Sequence, residues 1–383
     1  MKWAEFTIAR AACAYFFICP GLAYGLLTSR LPALKTQTEA DEAQIGLILL
    51  CLGLSSVTAL IGSGWLIARW GSALILRLAS LVLVLAIILC TLASDSVQLG
   101  LTCILAGLGM GLVDVSMNTQ GIQIERRYAS PCMSLLHAAY SFGGVLGSLT
   151  GALFAGLGLN PFINAAVVLG AYICFRPWAA PKLMTDMPSE TITQQQKSGR
   201  SLPLFVILCG LLAMIAYAVE GSVAEWGSLL LHTVKGASEQ TAALVFAAFS
   251  IATVLCRLAG DRLRSSWGDF LLALGGAVLT LCGMSLVLFF ADPAACLVGY
   301  ALMGAGLAPI VPILFSRAGS YLGVSAGKAS AIVSILSYSG LLFFPPLLGF
   351  VAHKEGLSDA LLIVLAACAI LCSGTFILRK NAK

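Results

Sequence analysis

Twelve long apolar runs, separated by short polar loops, constrain this chain more than any other feature. They lie near residues 8–30, 43–68, 73–93, 98–122, 132–158, 161–178, 203–231, 239–260, 269–290, 294–316, 328–351 and 359–378. A bilayer core takes about 20 apolar residues per helix. In hydrocarbon a single segment satisfies its own backbone only as a helix. The expectation is therefore an all-α membrane protein with twelve transmembrane helices. Composition agrees: 59% of the 383 residues are hydrophobic and 10% are charged, against about 45–50% and 25% in a soluble domain. That excludes a water-soluble globule. Disorder is excluded too, since it needs low hydrophobicity and high charge. No basic tract points to nucleic acid. The first run reads as the first span rather than a cleavable signal.

The runs fall into two groups of six. Between them, residues 179–202 form the only long polar insertion, expected to be a flexible cytoplasmic linker. The expected organisation is a six-helix bundle at 1–178, the linker at 179–202 and a second six-helix bundle at 203–383. An even span count puts both termini on one side. Placing them in the cytoplasm leaves only Arg30, Lys35, Lys235 and Lys354 of the 22 Lys and Arg outside, and assigns the other 18 to the inner side. Basic residues concentrate on the cytoplasmic side, so both ends are expected there, in a cell inner membrane. The acids Glu39, Asp41, Glu42, Asp95, Glu239, Asp292 and Glu355 fall in outer loops.

The halves repeat. Gly107-x-Gly109 in span four meets Gly304-x-Gly306 in span ten, and Gly64 to Gly71 after span two meets Asp261 to Gly268 after span eight, both at an offset of 197 residues. Tyr140-Ser141 and Tyr338-Ser339 lie 198 apart. Two pseudo-symmetric six-helix bundles in parallel orientation, with a midplane site between them, are the design of one large class of secondary transporters.

Twelve spans, a six-plus-six repeat and a long central loop resemble the major facilitator superfamily. GWLIARWG (64–71) is similar to that family's loop motif, which runs Gly, three residues, an acid, two residues, Gly. Here Ala68 holds the acid position, and Ser265 holds it in the second copy, DRLRSSWG (261–268). The resemblance implies a gating role for Gly64 and Gly71. In span four, GLGMGLVDVSMN (107–118) resembles the fucose-permease-like, sugar:proton symporter branch, with Asp114 and Asn118 at its acid and Asn. In span five, MSLLHAAYSFGG (133–144) resembles the same branch, with His137 where that branch has Gln. In span seven, AYAVEGSVAEW (216–226) resembles a Tyr-x-x-Glu pattern of these carriers. The branch's acid near the outer end of span one is missing: Thr28 stands about there, beside Arg30.

An ionised side chain at the bilayer centre costs at least about 2.5–3.5 kcal/mol, so acids there usually line a cavity. Asp114 and Glu220 are such acids, and both are candidates for proton coupling. Asn118 shares a face with Asp114, as His137, Tyr140 and Ser141 share one in span five. Asn118, His137, Tyr140, Tyr217, Glu220 and Trp226 are the candidate substrate-binding residues. Each has a plainer reading: Asp114 satisfied by Asn118 and fixing helix packing, His137 bonded near the cytoplasmic edge, Trp226 in an interfacial aromatic belt. Arg30 either snorkels to outer headgroups or closes an outer gate on an acid such as Glu225. Gly143, Gly147, Gly151 and Ala155 form a small-residue stripe suited to close helix packing.

Thirteen scattered cysteines without a CxxC pair read as small buried hydrophobes rather than metal ligands. Three scattered histidines supply no catalytic constellation, and no Walker motif is present. An enzyme, a cofactor, a metal site and direct ATP drive are therefore not expected. The short linker and tail leave no room for a sensor's signalling domain. The expected partners are a small-molecule substrate, protons and the lipid bilayer, with the protein a monomer. The reading is a proton-coupled secondary transporter of a small polar solute, with a sugar as one candidate. The alternative is a proton-antiport exporter of drugs or metabolites.

Overall fold

The computed structural model describes residues 2–128, 130, 132–185, 204–319, 321 and 326–380. Helices dominate the described residues, and 12 of them are long and apolar enough to cross a membrane. The chain clusters into two compact units. One comprises Met1–Thr191 with Ser238–Ala247, and the other Ile192–Ala237 with Ala248–Lys383. The first turns of span eight thus group with the first unit, while the rest of that span belongs to the second.

In the first unit the spanning helices are α1 (Lys2–Ser29), α3 (Glu42–Trp70), α4 (Ser72–Leu92), α5 (Ser96–Tyr128), α6 (Met133–Gly156) and α7 (Pro161–Cys174). The short helices α2 (Leu31–Gln37) and α8 (Arg176–Ala179) complete it. α1 packs against α6, and α5 packs against both α3 and α4. Glycine is what lets α1 and α6 approach. A Cβ at Gly21 would strike the Tyr140 carbonyl, and one at Gly143 would strike the Ile18 carbonyl. The small-residue stripe read in span five is therefore a packing surface for α1. Such contacts supply the van der Waals attraction that joins helices where no hydrophobic drive exists between them.

Two features were not foreseen. α2 starts one residue after Arg30, with Pro32 in its first turn, and Gln37 on it donates to the Thr91 and Ala93 carbonyls at the end of α4. The stretch expected to be linker from residue 179 is docked at its start. Ala179 and Leu183 are buried, Arg77 donates to the Ala180 carbonyl, and Gln120 pairs with both the N–H and the carbonyl of Met184. The expected linker residues 186–202 lie outside the described residues.

The second unit holds α9 (Leu204–Leu229), α11 (Pro293–Leu307), α12 (Ile310–Gly319), α13 (Ala326–Glu355), α14 (Leu357–Gly374) and the final turn α15 (Ile377–Lys380). It also holds α10 (Glu239–Phe289) from Ala248 onward. α9 packs against α13, α12 and α14. α10 comprises two spans joined at Gly268, whose φ of 74° breaks the helix. Gly71, 197 residues earlier, has φ 82° between α3 and α4. The repeat extends to contacts. A Cβ at Gly107 would strike the Leu52 carbonyl, and one at Gly304 would strike the Phe249 carbonyl, again 197 residues on.

Candidate functional site

In the first unit the candidate polar residues stand on α5 and α6, both of which pack against α1. Asp114 lies within the span Ser96–Ile124, about 15 Å along the helix from its Ile124 end at 1.5 Å per residue. The amide of Asn118 donates to the Asp114 carbonyl at 2.8 Å and to its Oδ1 at 3.3 Å. The i, i+4 pairing read from sequence is thus formed, and both side chains are half-buried. On α6, the His137 ring stands edge-on to Phe17 at 5.4 Å, and Ser141 donates to the His137 carbonyl at 3.3 Å. His137 is exposed and Tyr140 is half-buried.

Arg30 does not snorkel, and the acid beside it is Glu239. Its side chain is 3% exposed, and its Nε lies 3.2 Å from Oε1 of Glu239. Its terminal nitrogens donate to the carbonyls of Gly151 at 3.3 Å and Leu159 at 2.7 Å. The cause is local. Arg30 follows the end of α1 close to where α6 also ends, so its guanidinium meets one carbonyl in the second-last turn of α6 and one in the loop beyond it, and the acid comes from the first residue of α10. Burial lowers the Arg30 pKa, and the Glu239 charge pulls it back up. Arginine stays protonated either way. About two turns further along these helices, Tyr24 stands edge-on to Phe246 at 5.6 Å.

In the second unit Glu220 lies within the span Leu204–Val234, about 24 Å from the first end and about 21 Å from the second. Its charged neighbour is Arg257 of α10. One turn earlier, the Tyr217 ring stacks on Tyr338 of α13 at 6.1 Å, with 21° between the planes. Glu225 is buried, and Trp226 is wholly buried. Trp226 therefore belongs to the packed part of α9, where residues 221–229 are all buried, and not to an interfacial belt.

The loop motif resolves into two different arrangements. Gly71 takes a backbone conformation that suits glycine, whereas Gly64 has open space where a Cβ would stand. With Ala68 and Ser265 in the acid positions, the charge appears elsewhere in the second copy. Arg264 donates to Asp269 Oδ1 at 2.6 Å and to Ser316 at 2.9 Å, and Arg317 lies 3.7 Å from Asp269 Oδ2. At the equivalent positions in the first unit, Gln120 donates to Ser72 at 2.7 Å. Arg257, Asp269 and Arg317 were missed as site residues. Their one signal was position: Arg257 inside a span, and Asp269 directly after the motif's last glycine.

Twelve membrane-length helices, a structural repeat and acids held inside spans define a polytopic transporter. The chain belongs to the major facilitator superfamily, whose family model matches residues 11–345. It is therefore a secondary transporter by family, and the family is not one of enzymes. It is 32% identical over 368 residues to an uncharacterised MFS-type transporter of Yersinia pestis, covering 92% of this chain and 93% of that one. It is 30% identical over 375 residues to the membrane protein MosC of Rhizobium meliloti, covering 97% and 90%. Among solved structures, a mutant form of the nucleoside transporter NupG superposes with TM-score 0.78 at 12% identity, covering 96% of this chain and 99% of that one. A D-xylose-proton symporter superposes with TM-score 0.72 at 15% identity, covering 96% of each. At those identities the likeness is one of fold.

Proposed function

We propose that this transporter couples the movement of a small polar solute to protons by alternating access, in the manner of the sugar:proton symporters that spans four, five and seven resemble. It would sit in the inner membrane with both termini cytoplasmic. The observation that carries the reading is Asp114, a carboxylate inside a span that accepts a hydrogen bond from the Asn118 amide. A carboxyl placed there is expensive to keep charged unless it works. Glu220, beside Tyr217 in span seven, is the second coupling candidate and shapes the solute site. Asn118, His137, Tyr140 and Trp226 complete the set proposed to contact solute, and Glu225, Gly64 and Gly71 that proposed for gating. The fold is shared with a D-xylose-proton symporter and a nucleoside transporter, which suits a solute of that size.

Asp114→Asn separates binding from coupling, because it imitates the protonated acid. A thermal-shift screen of sugars, sugar acids, nucleosides and cationic drugs first supplies a solute that binds. In proteoliposomes the variant is expected to exchange that solute across the membrane, yet to lose accumulation driven by a pH gradient, falling to the equilibrium level. Accumulation equal to the parent's would remove Asp114 from coupling and leave Glu220 as the carrier of the proton.

A further inference from the structure

At the end of α3 the Arg69 guanidinium stands over two indole rings at once, 5.7 Å from Trp65 and 5.5 Å from Trp70. The rings meet edge to face at 5.6 Å, so they form a corner that holds the cation. Both are exposed, at 62% and 47%, and Arg69 is exposed with them. A ring quadrupole attracts the charge, which leaves the five N–H donors of the guanidinium for oxygen acceptors. Among the described residues Arg69 has no hydrogen bond and no ion pair. The residue before it, where the loop motif would carry an acid, is Ala68.

Position decides which acceptor the cluster suits. The membrane-length part of α3 ends at Ile67, so Trp65, Arg69 and Trp70 straddle the boundary, where indole rings sit at headgroup level. Leu54, Ile61 and Trp65 are exposed and lie on one face of α3 at i, i+7 and i+11. Arg69 is one turn further along that face. A Cβ at Gly62 or Gly64 would meet nothing within 4 Å, so this flank is open. An apolar stripe that ends in an unpaired cation at headgroup depth is complementary to a molecule with an acyl chain and an anionic head.

We infer that Trp65, Arg69 and Trp70 bind the headgroup phosphate of an anionic phospholipid, with an acyl chain lying along Ile61 and Leu54. The guanidinium fork takes two phosphate oxygens, and the rings fix the fork in place. The proposed orientation puts this end of α3 in the cytoplasmic leaflet, where anionic headgroups attract basic side chains. The repeat supplies an internal comparison. At an offset of 197 residues, Arg262, Ser266 and Trp267 stand where Trp65, Arg69 and Trp70 do. One ring and the central cation are gone, and the Ser266 hydroxyl donates to the Arg262 carbonyl at 2.9 Å. The duplicated turn thus carries the clamp in its first copy and not in its second. The inference concerns the lipid around the protein and is independent of the solute and of proton coupling.

The test uses the purified full-length protein in a neutral detergent. Dioctanoyl phosphatidylglycerol, dioctanoyl phosphatidylcholine and inorganic phosphate are titrated in turn, and the melting temperature is read. Phosphatidylglycerol is expected to raise it in a dose-dependent way, at lower concentration than either of the others. Arg69→Gln is expected to weaken that binding by about fivefold, the effect of one basic residue at an anionic surface. Trp65→Leu removes one ring and should weaken it by about twofold to fivefold. Arg69→Lys keeps the charge without the fork and should fall between parent and Arg69→Gln, which also guards against a folding defect in the Gln variant. Arg10→Gln is the control for diffuse charge, since Arg10 stands over Phe6 alone at 5.1 Å; it should bind as the parent does. No shift with phosphatidylglycerol, the same affinity in parent and Arg69→Gln, or an equal loss in Arg10→Gln overturns the inference. Phosphatidylcholine binding as tightly as phosphatidylglycerol overturns the anionic headgroup, and inorganic phosphate binding as tightly overturns the lipid.

Discussion

At the scale of single residues, Arg30 shows how a side chain's place is set by chain ends that meet in space. The guanidinium is nearly sealed from solvent, with one carboxylate and two carbonyls around it. Removing one member of a buried charged cluster leaves the others desolvated and unpaired, at a cost of about 3–5 kcal/mol when burial is complete. Glu239 is 28% exposed, so the expected cost for Arg30→Met falls below that range, at about 2–3 kcal/mol. A fall in melting temperature in detergent should report it; a variant as stable as the parent would mean the cluster is solvated in practice. None of this was legible beforehand, because Arg30 and Glu239 are 209 residues apart in the sequence. The Asp114–Asn118 pair was legible, because helical periodicity alone places i and i+4 together. Arg257 was overlooked for a different reason: a count of basic residues by side treats a cation near a span's end as part of the loop.

At the scale of elements, the spans were readable because hydrocarbon imposes a length and excludes polar side chains. All twelve predicted runs overlap a membrane-length helix. What escaped was short and polar. α2 has seven residues, too few to show a period, and the docking of residues 179–184 depends on the distant side chains Arg77 and Gln120. The turns after spans two and eight were recognised through their glycines, and the structure separates the two glycines of the first copy. Gly71 (φ 82°, ψ 149°) and Gly268 (φ 74°, ψ 168°) occupy a region that costs other residues about 1–3 kcal/mol. Gly64 is helical, with open space at the missing Cβ. Gly71→Ala and Gly268→Ala are therefore expected to lose about 1–3 kcal/mol each. Gly64→Ala should be neutral or slightly stabilising, since alanine is the better helix former by about 1 kcal/mol. Thermal melts of the three variants check this, and equal melting temperatures would contradict it.

At the scale of the whole molecule, the proposed orientation rests on where the basic residues fall. With both ends in the cytoplasm, single cysteines replacing Ser94 and Asp292 in a cysteine-free background should react with a membrane-impermeant thiol reagent added outside intact cells. Labelling only after the cells are broken would invert the topology. The repeat was visible in glycine spacing and continues in space through equivalent close contacts, but its electrostatics were not visible, because equivalent positions carry different chemistry. Ser72 and Gln120 meet as two neutral groups, while Asp269 and Arg317, at the same places in the second copy, meet as ions with Arg264 beside them. At 2.6 and 3.7 Å the ionic contacts lie well inside the roughly 8 Å over which salt screens at physiological ionic strength, so salt reaches them only through their exposed part and leaves the neutral pair untouched. One turn of the duplicated pair therefore loosens only slightly as salt rises, and its twin holds the same grip in fresh water and in brine.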